Sequence, residues 1–247
     1  MKISRSDFKY RTRNSFLVGS LFAALVVSGF AWVNFGPDAN GAPKFLRRIF
    51  SVNEKVFRSF YSDRRASVAK TPPPIGKMPR ANGEVGLDDE VTAQGYEINV
   101  QGDGLSRSFR LDDILKLPKV SSTTDFRCIE GWSEILNYQG ARFSEFMDRF
   151  ALGRRPDGTL YEYVGLETPD GEYYVSIDMA SMRHPQTVLT YEMNGAALSP
   201  ENGFPLRLII PVKYGIKNLK RIGKIVFSDQ KPHDYWEERG YDWYSGL

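Results

Sequence analysis

The sequence predicts an α+β domain, built of mixed sheets with short helices and preceded by one transmembrane helix. Three observations carry this expectation. Residues 15–35, SFLVGSLFAALVVSGFAWVNF, contain no charged side chain. From about residue 83 onward, short β-like runs alternate with brief helical ones. DG, NG and YG pairs punctuate that region, as turns do between short strands. The 247 residues leave room for one domain with a substantial core plus an accessory segment.

The uncharged run has about the twenty residues that a helix needs to cross a ~30 Å hydrocarbon layer. Lys2, Arg5, Lys9, Arg11 and Arg13 precede it, so residues 1–14 read as a basic tail retained in the cytoplasm. This orientation makes the chain a single-pass inner-membrane protein with its domain on the periplasmic side. Lys44, Arg47 and Arg48 lie just beyond the run and reduce the asymmetry. A secretory signal has a shorter apolar part and ends in a small-x-small site; no A-x-A pattern follows Trp32, which favours an uncleaved anchor.

In residues 43–66, Phe45, Ile49, Val52, Val56 and Phe60 recur at spacings of three or four, among Arg47, Arg48, Lys55, Arg58, Arg64 and Arg65. This predicts an amphipathic juxtamembrane helix, lying on the membrane surface or packed on its own domain or a partner's. Residues 67–82, with TPPPIGKMP, read as a stiff proline-rich linker. The domain then occupies residues 83–247. Strands are predicted over 96–100, 161–166, 172–177, 206–211 and 224–227, and helices over 111–115 and 143–150. There is no repeat and no GxGxxG or GxxxxGK[ST] phosphate loop.

Composition narrows the chemistry. With 33 basic against 30 acidic residues the net charge is +3, without the clustered basicity of a nucleic-acid binder. One cysteine, Cys128, excludes an intrachain disulfide, a Cys-rich zinc cage, a four-Cys iron–sulfur cluster and a CxxCH haem attachment. The two histidines, His184 and His233, each adjoin a proline in turn-like sequence, which argues against bis-His haem. Redox chemistry here requires a cofactor held by other means and a separate electron partner.

Cys128 lies in DFRCIEGWS beside Arg127, whose charge favours the thiolate, the form that ligates metals. Taken alone, a lone cysteine is more often a small buried hydrophobe. A Cys/His hydrolase would have only His184 to draw on, in an HP turn, and no GxSxG accompanies it. Further on, ENGFPLRLIIPVKYGIKNLKRIGKI plants Arg207 in an apolar strand, where it needs an anion. Backbone amides of residues 215–220, with Lys217 and Lys220, suit a phosphate. The other reading is a surface charge cluster in which Arg207 pairs with a carboxylate.

Taken in order, DFRCIEGWS, YVGLET, HPQTVLTYEMNG and NGFPLRLIIPVKYGIKNLKRI resemble the molybdopterin-binding oxidoreductase domain of the sulfite oxidase superfamily, over roughly residues 94–230. Within it the resemblance runs to the catalytic subunit of periplasmic methionine sulfoxide reductase. It implies the sulfite-oxidase-type fold and a molybdenum–molybdopterin cofactor, and the short basic loop fits the simple phosphate form. Cys128 would be the protein thiolate on the metal. Thr168 of YVGLET, and Asn202 and Arg207 of NGFPLR, would contact the cofactor. Asn218, Leu219 and Lys220 would grip the pterin phosphate, and Arg127 would steer an oxyanion or S-oxide. The family's N-terminal asparagine and Tyr–Glu pair have no counterpart identified before Tyr96, because Tyr96 and Glu97 read as the first strand. The paired-arginine export signal is also absent, since Arg11 and Arg13 straddle Thr12.

Glu130, Trp132 and Tyr138 either line a substrate funnel or belong to the core. Trp236, Tyr241, Trp243 and Tyr244 of the C-terminal segment close over the pocket, dock a redox partner or cover a sheet. The resemblance implies two-electron oxygen-atom transfer on an S-oxide or related small substrate, with sulfite-type oxidation as the reverse direction. A haem-containing or quinol-linked membrane protein would exchange the electrons. The alternative is a non-catalytic, membrane-tethered module that keeps the fold and binds an anion or a partner.

Overall fold

The computed structural model describes residues 5–64, 67, 69–73, 79–102 and 104–247. The apolar run and the basic residues before it form one helix, α1 (Arg5–Asn34), with no proline to break it. Its stretch Phe8–Asn34 is long and apolar enough to cross a membrane, and its large side chains are exposed along its length.

A hairpin follows, β1 (Asp38–Ala39) and β2 (Ala42–Pro43), closed by Asn40 and Gly41. Both have positive φ, 49° and 69°, the geometry a two-residue primed turn requires. It leads into α2 (Lys44–Ser59), which stops short of the 43–66 predicted; Arg65 and Ala66 lie outside the described residues. Helix α2 docks on the domain through its charged edge. Glu54 meets Lys231 at 2.7 Å, and the Arg58 guanidinium lies over the Tyr163 ring. Ile49, Val52, Val56 and Phe60 point outward.

Part of the linker, residues 74–78, also lies outside the described residues. Its start is tied down: the Ser67 amide donates to Gln186 Oε1 at 2.7 Å, and Ala69 donates to the Thr123 carbonyl. Its end enters the site described below.

The domain contains two five-stranded sheets. Strands β3 (Glu97–Gly102) and β4 (Leu105–Arg110) form a hairpin, followed by α3 (Leu111–Leu115). The longest pair, β5 (Lys119–Arg127) and β6 (Ser133–Arg142), leads to α4 (Phe143–Phe150). Next come β7 (Tyr163–Glu167), β8 (Tyr174–Asp178), α5 (Met179–Met182), β9 (Val188–Met193) and β10 (Ala196–Ala197). Strands β11 (Arg207–Ile209) and β12 (Lys224–Ser228) complete the chain's regular structure. One sheet runs β4-β3-β12-β7-β8, with β12 parallel to β3; the other runs β10-β9-β6-β5, with β11 paired to β9. Buried side chains of both sheets and of α4, including Ile98, Phe109, Phe143, Phe146, Leu189 and Leu208, form one core.

The predicted α+β class holds, and α3 and α4 occupy the ranges expected. Strands β4, β5, β6 and β9 were not expected. Strand β5 reads KVSSTTDFR, and of its nine residues only Thr124 is buried, so apolar alternation could not announce it. The strand predicted over 206–211 is confined to Arg207–Ile209, between Pro205 and Pro211, which cannot donate to a ladder.

Register between β6 and β9 shifts at Gln139/Gly140. A Cβ on Gly140 would sit 2.1 Å from the Leu189 carbonyl oxygen, so backbone would have to move. Gly140→Ala is expected to cost about 2 kcal/mol or more, lowering the melting temperature by at least ~5 °C. An unchanged thermal melt would contradict this packing of β6 on β9.

Candidate cofactor site

A cavity of about 160 Å³ collects side chains from five separated stretches of the chain. Residues 80–85 supply Arg80, Asn82, Gly83 and Val85. The β5–β6 hairpin supplies Phe126, Cys128, Glu130, Trp132, Leu136 and Tyr138. Asn202, Arg207, Gly215, Ile216, Asn218 and Lys220 come from around β11, and Trp236 and Tyr241 from the C-terminal segment; Tyr173 and Ile129 complete the wall. Three cationic side chains and one carboxylate face this space, so it carries net positive charge.

Cys128 follows β5 directly, in a tight turn where its amide donates to the Trp132 carbonyl at 2.9 Å and Gly131 donates back to its own. The thiol is buried, with Asn82 Nδ2 3.9 Å away. Strand alternation explains its neighbours: Phe126 faces the cavity, and Arg127 faces the opposite side. Arg127 is half exposed, paired to Asp125 at 3.0 Å, and does not line the cavity, contrary to the steering role expected of it. The Trp132 indole donates to Glu130 at 2.9 Å and Asn82 donates at 3.1 Å; chiefly the indole bond, then the amide, holds the Glu130 carboxyl below its usual range. Arg80 lies over the Trp132 ring at 4.5 Å.

Arg207 is buried, 4% exposed. It donates to the carbonyls of Asn202 (3.0 Å) and Asn218 (3.4 Å) and lies over the Tyr138 ring. Its Nε is buried without a partner. The surface cluster with a paired carboxylate is therefore not what forms here. Burial lowers the Arg207 pKa from its ordinary value. Lys220 donates to the Asn82 and Gly83 carbonyls at 2.8 and 2.9 Å. Its pKa is pushed down to about 8, first by burial and then by the charge of Arg207. Gly203, at φ 96°, lets the NGFP turn close on this lysine, since a Cβ there would meet Lys220 Cβ at 2.8 Å.

Of the site residues expected from sequence, Cys128, Asn202, Arg207, Asn218 and Lys220 line the cavity together. Leu219 does not: its side chain is in the core, and its carbonyl accepts from Leu208. Thr168 is also behind the wall, where its hydroxyl bonds Asp170 and the Tyr173 amide and its side chain abuts Gly86. Lys217, expected at the phosphate, is instead buried against Asp234, a carboxylate far along the sequence. Glu130, Trp132 and Tyr138 do face the cavity, as do Trp236 and Tyr241; Trp243 and Tyr244 are buried elsewhere. Sequence reading missed Arg80, Asn82 and Tyr173. Asn82 is an asparagine ahead of Tyr96, the residue type sought there, and it went unseen because it lies in a stretch read as linker.

The donor set fits a molybdenum–pterin cofactor. A buried guanidinium with an unpartnered Nε and a lysine burdened by it both call for an anion, and a thiol faces the same space.

Residues 84–236 match the family model described as the oxidoreductase molybdopterin binding domain. The chain is 38% identical over 158 residues to an Azospira oryzae protein with the provisional name protein-methionine-sulfoxide reductase subunit YedZ1, covering 64% of this chain and 58% of that one. It is 28% identical over 251 residues to the protein-methionine-sulfoxide reductase catalytic subunit MsrP of Campylobacter jejuni, covering 92% and 77%. Against the sulfane dehydrogenase SoxCD of Paracoccus pantotrophus the TM-score is 0.51 at 20% identity, over 58% of this chain and 40% of that one, a likeness of fold. The matched model spans more than half of the chain and takes in the thiol, the buried arginine and the basic loop together, so the chain belongs to the molybdopterin-binding oxidoreductase family.

Proposed function

We propose that this chain is a membrane-anchored molybdenum–pterin oxidoreductase that transfers one oxygen atom by a two-electron reaction, in the direction of S-oxide reduction. The observation that carries this is Arg207, a buried cation with a free donor, in the same cavity as Cys128. The names of the relatives above support the substrate class and, through the word subunit, a separate partner. The overall change is S-oxide plus two electrons and two protons to thioether plus water. We infer that a haem-containing or quinol-linked membrane protein supplies the electrons.

The Cys128 thiolate would hold the metal, and Arg207, Lys220, Asn202, Asn218 and Asn82 the pterin and its phosphate. When bound, the group supplies the two-electron redox couple and accepts the oxygen atom. The chain's own residues bind and shield. Trp132, Trp236 and Tyr241 give the cavity an aromatic rim that excludes water around a small thioether or S-oxide. Tyr138, pushed up to about 12 by burial, remains a protonated donor at neutral pH. Basic residues Lys9, Arg11 and Arg13, at the N-terminal end of the exposed helix Phe8–Asn34 and ahead of the uncharged run 15–35, support a single pass with the domain on the periplasmic side.

Protein made with cofactor synthesis intact should contain one molybdenum and one pterin per chain. Cys128→Ser should keep the fold by circular dichroism and lose sulfoxide reduction by more than ~100-fold, since even groups behind a metal ligand change affinity or activity by up to that much. Full activity in Cys128→Ala would remove the thiolate from the metal, and a folded protein without metal, pterin or sulfoxide reduction would leave the binding module as the better reading.

Lys220 carries its charge below about pH 8 and loses it above. Sulfate, whose own charge is constant there, should bind cofactor-free protein several-fold more weakly at about pH 9 than at about pH 7. Lys220→Arg should flatten that profile in calorimetric titrations, and a flat wild-type profile would remove Lys220 from the anion site.

The rim is held from outside. Arg47 of α2 donates to the carbonyls of Ala39 (2.9 Å) and Tyr241 (3.0 Å) and also to those of Asn40 and Glu237. Arg47→Ala, which frees the segment bearing Trp236 and Tyr241, should raise KM for the S-oxide roughly 3- to 10-fold with molybdenum content unchanged. Loss of kcat and cofactor together would make Arg47 a residue of general stability instead.

A further inference from the structure

Helix α2 sits on its domain in the reverse of the usual sense. Its inward edge is mainly polar: Arg47, Glu54 and Arg58 bond the domain, with Phe57 stacked beside them on Tyr244. Its outward edge is apolar, with Ile49, Val52, Val56 and Phe60 exposed by 42, 57, 46 and 62%. At about 100° per residue these four and Phe45 fall within roughly a quarter of the circumference. Lys44, Arg48 and Lys55 lie along one shoulder of the stripe.

Two further facts fix what faces it. Only residues 35–43 separate α1 from α2. Trp32, in the last turn of α1, has its ring 5.0 Å from that of Phe45, in the first turn of α2. A tryptophan at the end of a spanning helix belongs at the level where hydrocarbon gives way to headgroups, so α2 starts at that level. Four partly exposed side chains on one short helix are also well below the ~1,000 Å² that a stable contact with a second copy needs.

We propose that α2 is an interfacial helix, with its Ile49, Val52, Val56 and Phe60 stripe seated in the bilayer surface that α1 enters and with Lys44, Arg48 and Lys55 on anionic headgroups. The proposal rests on the anchoring reading of α1, and its test separates the two. The full chain, with Val52→Cys or Ala196→Cys carrying an environment-sensitive fluorophore, is reconstituted with vesicles of phosphatidylcholine and phosphatidylglycerol. Ala196 is exposed on β10, and buried Cys128, the one native thiol, gives the background in unsubstituted protein. Flotation with the vesicles reports α1. Shallow lipid-borne nitroxide quenchers report α2, because such a helix sits about 5–10 Å into the headgroup boundary and should lose roughly half its emission. Quenching at position 52 and not at 196 supports the proposal. Flotation with equal quenching at both positions, or none at 52, overturns it and leaves the anchor standing. Failure to float overturns the anchor and this inference with it.

Discussion

Taking a guanidinium out of water costs several kcal/mol even after relaxation, of about the size that a buried ion pair returns. At Arg207 the fold returns two carbonyl bonds and the face of Tyr138, and leaves Nε without a partner. Among the domain's other buried cations, Arg221 also donates to backbone carbonyls, those of Phe204 and Asp89, but two lysines are paired with carboxylates. Lys213 meets Asp178 at 3.1 Å, and Lys217 is paired with Asp234. What sets Arg207 apart is its unpartnered Nε, and it lies where Lys220 adds a second charge instead of a compensating one. An anionic ligand resolves both strains at once, whereas a protein carboxylate there would occupy the ligand's place.

The geometry around this charge explains why the site draws on distant parts of the chain. Strand β11 holds Arg207 inside β9's sheet, and the hairpin β5–β6 brings Cys128 to the same face. The NGFP turn closes on Lys220 through Gly203, and the Lys220 ammonium in turn holds the carbonyls of Asn82 and Gly83. Asn82 then reaches both Glu130 and the thiol. Each contact is modest, about 1 kcal/mol for a typical hydrogen bond. Their joint effect is to make the entry loop conditional on the basic loop, so the two sides of the cavity form together.

What was legible in the sequence follows from this arrangement. Residues whose chemistry conflicts with their local pattern stood out: Cys128 as the lone thiol, Arg207 in an apolar strand, Lys220 in a basic turn. Helices α3 and α4 were legible because their apolar residues repeat at helical spacing. Strand β5 was not, because its residues are nearly all polar and half exposed, and it is held by pairing with β6 rather than by an apolar face of its own. Side-chain direction was the second blind spot. Arg127 adjoins Cys128 in sequence yet faces the other side of the strand, and Lys217 resembles Lys220 in sequence but is captured by Asp234, seventeen residues on. Asn82 and Arg80 were hidden by context, since the prolines before them suggested a linker.

Helix α2 connects these levels. A flexible tether would let the domain tumble above the bilayer, but α2 follows α1 through a tight Asn40–Gly41 turn and is fixed to the domain by Arg47, Glu54 and Arg58. Gly41 packs against the backbone of Arg239 and Gly240 so closely that a Cβ would sit 2.9 Å from the Arg239 carbonyl carbon. The segment it touches is the one that carries Trp236 and Tyr241 to the cavity wall. Helices α1 and α2 and the rim are thus mechanically linked, and on the proposed reading of α1 as an anchor the domain would be held in a set orientation. For the membrane-bound electron donor proposed above, that constraint would replace a three-dimensional search by an encounter in the plane.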